Sequence, residues 1–356
     1  MISTVQENTS EPSWIAERGV PVLVTGAAGF VGSRVVATLL RLGFERVRCG
    51  VRRSSDLGLL RDAIPPGHAN RCEIVEANLV SRDECRQLAA DAEIVYHLVA
   101  GRGKSFPGCF QGSVITTRNL LDALLEYQRI KRFVNVSSFA VYSRVESKRS
   151  ALWDEDCPLE DNLEERHDAY VYGKLKQDEL VQHYHKSFGV PVTIVRPGIV
   201  FGPGKKAIPG FVGIDTFGFF MHLGGGGHLP LTYVDNCAEA IVLAGLTKGS
   251  EGEVFNVVDD ELPTSRAFLR AYKRQVRKFI SIPLPYPVTY SLCALWEWYA
   301  KRSKGQLPPV FNRRECAFSW RGYRYSNRKL KVRLGWQCRV PMREGLRRYF
   351  EYQKNG

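Results

Sequence analysis

A tyrosine and a lysine that could take part in proton transfer lie four residues apart in the segment Tyr170-Val-Tyr-Gly-Lys174. Residues four apart share one face of a helix, so the phenol and the ammonium would be neighbours. A free tyrosine has a pKa of roughly 10, and an adjacent ammonium stabilises its phenolate, so Tyr170 could exchange a proton while a hydride moves. Tyr172 and Lys176 form a rival pair with the same spacing. We favour the first pair because the small residue Gly173 precedes Lys174.

The segment Val136-Ser-Ser-Phe-Ala-Val-Tyr142 supplies a further polar candidate. It follows the apolar run 132–136, which is typical of a strand. The carboxyl ends of parallel strands form the ligand crevice of a doubly wound sheet. Ser138 could therefore hydrogen-bond the carbonyl or alcohol oxygen of a substrate, whereas Ser137 is expected to cap the end of the strand.

A glycine-rich turn, Thr25-Gly-Ala-Ala-Gly-Phe-Val-Gly32, has the spacing of a dinucleotide site. It lies between the β-branched run 20–24 and the helical pattern 33–42, and this strand–turn–helix context gives the motif its meaning. Glycine lets the backbone turn tightly and approach a pyrophosphate, and the amides of the following helix favour that anion. We therefore expect Gly26, Gly29 and Gly32 to bind a nicotinamide dinucleotide.

The residues at the end of the second predicted strand indicate whether the dinucleotide is NAD or NADP. An acid there holds the ribose 2′-hydroxyl of NAD, whereas an arginine accommodates the 2′-phosphate of NADP. This chain has Val51-Arg52-Arg53-Ser54-Ser55 and no acid before Asp56. Because guanidinium groups match the geometry of phosphate, NADP(H) is expected to be preferred, with NAD(H) possible. The alternative is that Arg52 and Arg53 are ordinary solvated charges.

Alternating strands and helices must position these residues. Strand-like apolar runs and helical patterns alternate along the chain, with runs at 20–24, 47–51, 73–76, 93–98, 132–136, 192–195 and 253–258, and helices at 113–128, 168–186 and 238–246. This alternation predicts an α/β protein, a Rossmann doubly wound parallel sheet with a smaller C-terminal substrate lobe. We expect a polar tail at 1–19, a dinucleotide-binding domain at 20–200 and 232–258, and a substrate lobe at 201–231 and 259–356.

Composition excludes several classes of protein. The 356 residues are 44% hydrophobic and 24% charged, which excludes a disordered or collagen-like chain, and no apolar run is long enough for a membrane span. The net charge of +13 arises from residues 301–356, which contain sixteen Lys/Arg and three acids. Because no nucleic-acid-binding motif accompanies this charge, no nucleic-acid partner is expected. Nine cysteines without a CxxC pair and a polar N-terminus favour a cytoplasmic protein. No metal site is expected, since His183 and His185 would diverge on a helix.

These motifs occur in an order that resembles the extended short-chain dehydrogenases/reductases, the NAD-dependent epimerase/dehydratase superfamily. The resemblance rests on the glycine turn, the 170–174 segment, Tyr96-His-Leu-Val-Ala100, Ser137-Ser-Phe-Ala-Val-Tyr142 and Arg196-Pro-Gly-Ile-Val-Phe-Gly-Pro203. It implies that Tyr170, Lys174 and Ser138 are the catalytic residues. The cofactor-binding residues that it implies, together with the two arginines above, are Gly26, Ala28, Gly29, Phe30, Val31, Gly32, Arg52, Arg53, Asn78, Leu79, Val99, Ala100, Tyr170, Lys174, Pro197, Ile199 and Val200.

Departures from the family pattern bear on the substrate. Asn78 stands where the family usually has an Asp that touches adenine, and Ser113 where many members have an Asn. Nucleotide-sugar members commonly have an Asn at the position of Gly198 and an Arg at that of Leu229, and both contact the diphosphate of the sugar nucleotide. By contrast, Leu229-Pro-Leu-Thr-Tyr-Val-Asp-Asn236 resembles the 3β-hydroxysteroid dehydrogenase-like branch, which acts on apolar alcohols and ketones.

The resemblance therefore favours an oxidoreductase that interconverts a secondary alcohol and a ketone on an apolar or non-nucleotide small molecule. The first alternative is a nucleotide-sugar epimerase or dehydratase that retains its dinucleotide. The second is a non-catalytic dinucleotide-dependent regulator, which the intact Ser138, Tyr170 and Lys174 set disfavours.

Two segments suggest contacts with partners. Helices 113–128 and 168–186 carry apolar residues on more than one face, and similar family members pair these helices, so a homodimer is expected; these residues are Ile115, Leu120, Leu124, Leu175 and Val181. The aromatic stretch 288–300 is too short to span a bilayer. It could cover a lipophilic substrate, rest on a membrane surface with help from the basic tail, or pack on the core of the lobe.

Overall fold

The computed structural model describes residues 13–103, 105–143, 151–205, 208–216, 218–224, 226–303, 306–307 and 311–355. The strands in these ranges are β1 (Val22–Thr25), β2 (Val47–Val51), β3 (Cys72–Glu76), β4 (Ile94–His97), β5 (Arg132–Val136), β6 (Leu152–Trp153), β7 (Val192–Pro197), β8 (Ile199–Phe201), β9 (Gly213–Thr216), β10 (Phe219–Gly224), β11 (Leu231–Tyr233), β12 (Val254–Val257), β13 (Ser281–Pro285) and β14 (Arg324–Tyr325). The helices are α1 (Gly32–Arg41), α2 (Gly58–Ala63), α3 (Arg82–Ala89), α4 (Phe106–Phe110), α5 (Thr116–Tyr127), α6 (Leu163–Arg166), α7 (Ala169–Phe188), α8 (Val234–Leu246), α9 (Ser265–Gln275), α10 (Tyr286–Arg302), α11 (Arg313–Trp320), α12 (Arg328–Leu334) and α13 (Met342–Asn355).

Seven strands form a parallel sheet in the order β12-β7-β5-β4-β1-β2-β3. The central strands β1, β4 and β5 are fully buried, which explains why apolar residues fill most of their positions instead of alternating with exposed polar ones. The sheet confirms the predicted doubly wound α/β fold, and every predicted run overlaps one of its strands. The strand order reverses between β1 and β4, and open α/β sheets bind ligands in the crevice at such a point.

Helices cover both faces of this sheet. Apolar residues of α1 and α8 pack on one face, against Val22 and Val24, and those of α3, α5 and α7 pack on the other, against Leu23. Helix α7 begins after Asp168, whose carboxylate accepts hydrogen bonds from the amides of Tyr170 and Val171. This cap holds Tyr170 in the first turn of α7, near the carboxyl ends of the strands.

The C-terminal part of the chain adds a second, smaller layer. Strands β9, β10 and β13 form a three-stranded sheet, and β8 pairs with β11. Phe201 and Tyr233 of β8 and β11 pack with Phe268 of α9 and Tyr349 of α13 in one cluster. This shared core attaches the smaller layer to the dinucleotide-binding sheet. The division of the chain into domains at the stated residues stays a prediction.

Candidate active site

The glycine turn after β1 has the geometry of a cradle for an anion. Gly26 has a φ of +72°, which favours glycine, and a Cβ on Gly32 would lie 2.2 Å from the carbonyl oxygen of Gly26. A Cβ on Gly29 would lie 3.1 Å from the same oxygen. No side chain caps the start of α1 at Val31; the amides of Ser33 and Arg34 already donate to Gly29 and Val31, so an anion would bind at the amides of the turn before them. These residues fit the pyrophosphate of a dinucleotide.

The end of β4 forms one wall of this cradle. A Cβ on Gly26 would lie 3.5 Å from Cγ2 of Val99, so Val99 is adjacent to the turn, and Ala100 follows it half-exposed. The opposite side is covered by Phe30, whose ring centroid lies 5.4 Å from Nζ of Lys205 in the segment after β8. The structure thus groups the predicted cofactor residues of β1 and β4 around one crevice.

The other predicted cofactor residues lie on neighbouring strand ends. Pro197 ends β7 and is buried, and Ile199 and Val200 lie half-buried in β8. Asn78 follows β3, and its side-chain oxygen accepts an amide hydrogen bond of 3.2 Å within its own turn. The side chain of Leu79 is only 7% exposed and packs in the core beside α5, and its place in the cofactor site stays a prediction.

Arg52 and Arg53 follow β2 and are exposed. The backbone amide of Arg52 donates to Oγ of Ser55 at 3.1 Å. Nε of Arg53 lies 3.8 Å from a carboxylate oxygen of Glu76, which ends the adjacent strand β3. The sequence argument missed this acid because only the pairing of β2 with β3 brings Glu76 beside Val51 and the arginines.

Ser138, Tyr170 and Lys174 converge where β5 ends. The hydroxyl of Ser138 lies beside the phenol of Tyr170; burial raises the pKa of Tyr170, and Ser138 and the charge of Arg102 partly offset that rise. Lys174 is buried one helical turn later, and its Nζ donates to the backbone oxygen of Val136 at 2.6 Å. Burial lowers the pKa of Lys174 to about 8. The three predicted catalytic residues are thus together, and their catalytic roles stay predictions.

Gln177 is a buried partner of Lys174 that sequence reasoning missed. Its Oε1 accepts a hydrogen bond of 2.8 Å from Nζ of Lys174. Its Nε2 donates to Oγ1 of Thr117 at 2.7 Å and to the backbone oxygen of Val99 at 3.2 Å. Gln177 therefore uses both ends of its amide to connect the ammonium with the wall of the cofactor crevice.

His97 continues this buried chain beneath the glycine turn. Its Nε2 lies 2.9 Å from Oγ1 of Thr117, and its Nδ1 lies 2.7 Å from Oγ1 of Thr25. The hydroxyl of Thr117 donates to the backbone oxygen of Ser113, so His97 must donate through Nε2 and accept from Thr25 at Nδ1. Burial and the charge of Lys174 lower the pKa of His97 to about 3, so the imidazole is neutral near pH 7.

Asp178 ties α7 to the sheet behind the catalytic residues. Its carboxylate accepts hydrogen bonds from Asn135 at 2.9 Å, Ser137 at 2.8 Å and Nη2 of Arg196 at 3.2 Å. Ser137 therefore binds Asp178 and does not cap the strand end as we expected. Burial raises the pKa of Asp178, and the adjacent Arg196 opposes that rise.

The rival pair, Tyr172 and Lys176, is not brought together. The ring of Tyr172 contacts Phe106 at a centroid distance of 5.6 Å, and Nζ of Lys176 pairs with Glu179 at 2.7 Å. The choice of Tyr170 and Lys174 over this pair is therefore consistent with the packing.

Two cations near the site were also missed. Arg102 is an exposed residue after β4, and its positive charge is one of the effects that act to lower the pKa values of Tyr170, Lys174 and Lys205. Lys205 is half-buried beside Phe30. The signal that could have found Arg102 is its place two residues after Ala100, at the carboxyl end of a central strand.

The fold first defines a class, because a parallel doubly wound sheet with a glycine-rich turn at the reversal of strand order is a dinucleotide-binding fold. Residues 22–257 match a family described as the NAD dependent epimerase/dehydratase family. The chain belongs to this family of extended short-chain dehydrogenases/reductases and is an enzyme of that family.

Relatives with different activities resemble this chain at comparable identity. A trifunctional UDP-glucose 4,6-dehydratase/UDP-4-keto-6-deoxy-D-glucose 3,5-epimerase/UDP-4-keto-L-rhamnose-reductase of Arabidopsis thaliana is 26% identical over 93% of this chain, which spans 46% of that relative. A 3beta-hydroxysteroid-dehydrogenase/decarboxylase of the same plant is 26% identical, and the match covers 92% of this chain and 78% of the length of that relative. The solved structure of UDP-glucuronic acid 4-epimerase from Bacillus cereus in complex with NAD has a TM-score of 0.70 at 22% identity, covering 94% of this chain and 97% of that one.

Proposed function

We propose that this chain interconverts a secondary alcohol and a ketone with NADP(H) as the hydride carrier. The observation that supports this proposal is the convergence of Ser138, Tyr170 and Lys174 at the end of β5, beside a crevice that fits a dinucleotide. A phenol, a hydroxyl and an ammonium in this arrangement can hold one substrate oxygen and move one proton to or from it.

The bound dinucleotide would supply or accept the hydride. In ketone reduction, Tyr170 donates its proton to the carbonyl oxygen while the hydroxyl of Ser138 hydrogen-bonds the same oxygen. The charge of Lys174, which lies one turn away on the same face of α7, stabilises the phenolate that remains. Alcohol oxidation uses the same groups in reverse. Proton transfer of this kind contributes about 10²–10⁴-fold to the rate.

The strand pair β8–β11 supports an apolar substrate. A Cβ on Gly198 would lie 2.2 Å from the carbonyl oxygen of Pro230, so no amide side chain fits at the position where nucleotide-sugar members commonly have an Asn. Leu229 is 1% exposed in the core of the smaller layer, at the position where such members have an Arg. Neither position can offer a polar contact to a sugar-nucleotide diphosphate.

The turn after Ser138 argues against a dehydratase. Elimination of water needs an acid for the departing hydroxyl in addition to the group that moves the hydroxyl proton of the substrate. In the described part of this turn, Ser138 is followed by Phe139, Ala140 and Val141, and none of these side chains can donate a proton. The adjacent residues thus support hydride and proton transfer rather than elimination.

The second candidate is a nucleotide-sugar epimerase or dehydratase, and the relatives named above favour it, since two of the three have such activities in their names. The two candidates differ in how they use the dinucleotide. An alcohol–ketone oxidoreductase consumes it in proportion to product, whereas an epimerase returns the hydride to the same substrate.

The test is a substrate panel of sterols, acyl and polyketide ketones, and UDP- and dTDP-sugars, with absorbance of NADPH and NADH followed and Tyr170→Phe as the inactive control. Stoichiometric oxidation of added NADPH by an apolar ketone would support the proposal. Conversion of a nucleotide sugar by enzyme that is purified with bound dinucleotide, without net consumption, would replace it with the second candidate.

We also propose a preference for NADPH over NADH, because Arg52 and Arg53 are both exposed at the end of β2. Glu76 beside Arg53 opposes this preference, so Arg52 is expected to make the larger contribution.

A cytoplasmic location is proposed on the ground that all nine cysteines are free thiols.

A homodimer is proposed through the side formed by α4 and α7. Of the apolar residues first expected at the interface, Leu120, Leu124, Leu175 and Val181 are buried within the chain, whereas Ile115 is half-buried. The structure offers instead an apolar groove of about 570 Å³ lined by Phe106, Pro107, Phe110, Leu163, His167 and Tyr172. Sedimentation at micromolar concentration should show a dimer that Phe106→Ser weakens, and a wild-type monomer would contradict the proposal.

A further inference from the structure

Helix α10 presents large apolar side chains to solvent. Positions three or four residues apart form one face of this helix, and their exposed fractions are 45% for Val288, 52% for Leu292, 61% for Leu295, 52% for Trp298 and 55% for Tyr299. The side that packs on the protein carries the buried residues Thr289, Cys293 and Ala300 together with the partly buried Tyr290. A surface helix of a globular protein normally has the reverse arrangement. Helix α10 therefore packs on the lobe, as one of the three expectations for 288–300 had it, and also exposes an apolar side to solvent.

Strand β13 continues the apolar surface beside α10. Ile280 is 72% exposed and Ile282 is 43% exposed, and Leu284 follows on the same side of the strand. Leu284 and the neighbouring Met221 of β10 line an open apolar trough of about 460 Å³ whose other wall includes Leu295 of α10. We call the exposed residues Ile280, Ile282, Val288, Leu292, Leu295, Trp298 and Tyr299 the apolar face.

The chain on either side of the apolar face is strongly basic. Between residues 265 and 302, Glu297 is the one acid and eight residues are positive, namely Arg266, Arg270, Lys273, Arg274, Arg277, Lys278, Lys301 and Arg302, of which Arg277 pairs with Asp215 of β9. Both carboxylate oxygens of Glu297 are already used, since they accept hydrogen bonds from Lys301 at 2.9 Å and from Arg313 at 3.0 Å. The guanidinium of Arg302 lies 3.9 Å from the ring centroid of Trp298, so cation and aromatic ring share one surface.

We propose that the apolar face docks on the surface of an anionic membrane. Helices that lie in a bilayer interface combine exposed Leu and Trp side chains with Lys and Arg, which bind anionic lipid headgroups. No helix in the described ranges is long and apolar enough to cross a bilayer. The 17 residues of α10 would extend about 26 Å along the surface. A second copy of the chain fits the face less well, because a two-fold contact would bring the same positive charges together.

The experiment is co-sedimentation of the full chain with vesicles of phosphatidylcholine alone and of phosphatidylcholine with about one third phosphatidylserine. We expect binding to the anionic vesicles that falls at least about tenfold in high salt, and weak binding to the neutral ones. Replacing two exposed apolar side chains in Leu295→Ser/Trp298→Ser should lower partitioning at least about tenfold. Val332→Ser, at a 73% exposed position of α12, is the matched control and should bind like the wild type.

Two further readouts keep the test decisive if the double variant folds poorly. Arg274→Glu/Lys278→Glu should lower binding to anionic vesicles without lowering binding to neutral ones. Thermal melting by circular dichroism reports whether each variant retains its fold. The proposal is overturned if the wild type binds neither vesicle, or if both charge and apolar variants bind like Val332→Ser. It is also overturned if the apolar variant instead lowers the mass in sedimentation, since the face would then contact a second copy.

Discussion

Replacing Gln177 with methionine should move the pH dependence of catalysis towards acid. Oε1 of Gln177 accepts a hydrogen bond of 2.8 Å from the buried ammonium of Lys174, and this bond favours the charged form. A hydrogen bond to a charged group contributes about 1.5–3 kcal/mol, and about 1.4 kcal/mol corresponds to one pKa unit. The pKa of Lys174, which burial lowers to about 8, should therefore fall to roughly 6–7 in Gln177→Met.

The assay is kcat/KM for ketone reduction against pH, because the charged form of Lys174 supports the phenolate that Tyr170 leaves behind. At pH 7.5 the charged fraction, and with it kcat/KM, should fall about 3- to 25-fold, and activity should recover near pH 5.5. Gln177→Glu is the control, since a carboxylate there should raise the pKa of Lys174 and extend activity to higher pH. A purely structural role of Gln177 would lower activity equally at every pH, and profiles that coincide with the wild type would refute the reasoning.

Three further predictions follow from named contacts. Arg52→Asp should weaken NADPH binding about 10- to 150-fold in titrations at fixed salt, since it removes a charge-assisted phosphate contact; equal or tighter binding of NADH by the wild type would contradict the NADPH assignment. Asp178→Asn should lower the free energy of unfolding by about 3–5 kcal/mol in urea because it leaves the buried Arg196 unpaired, whereas Glu126→Gln in a surface ion pair should change it little. Tyr172→Phe should retain near-normal turnover, and a dead Tyr172→Phe would restore the rival pair.

The sheet and the glycine turn could be predicted because their causes are local. Each strand of the main sheet contains apolar or β-branched residues within a short segment. The glycines at 26, 29 and 32 are required by a positive φ or a close backbone approach within one turn. Tyr170 and Lys174 are four residues apart on one helix, so their common face followed from periodicity alone. The link to Ser138 needed the further inference that the carboxyl ends of parallel strands meet at one edge.

The features that were missed depend on contacts between distant parts of the chain. Gln177 reaches Thr117 and Val99 only because α5 and α7 pack side by side on the sheet, and Glu76 reaches Arg53 only through strand pairing. Leu79 fits the family's cofactor pattern, yet its side chain is drawn into the core beside α5.

The direction in which the apolar residues of α10 face was left open for a different reason. The spacing of apolar residues along a helix shows that they share one side, but it does not show whether that side is buried or exposed to solvent. Here Thr289, Cys293 and Ala300 pack inwards, whereas several large apolar residues, such as Leu295 and Trp298, face outwards.

The central claim is that Tyr170 moves the proton that accompanies hydride transfer. It is tested most directly by single-turnover oxidation of bound NADPH in wild type and Tyr170→Phe, with the substrate that the panel identifies. The account predicts that Tyr170→Phe binds NADPH as tightly as the wild type and turns over at least about a hundredfold more slowly. Near-normal turnover in Tyr170→Phe would contradict it.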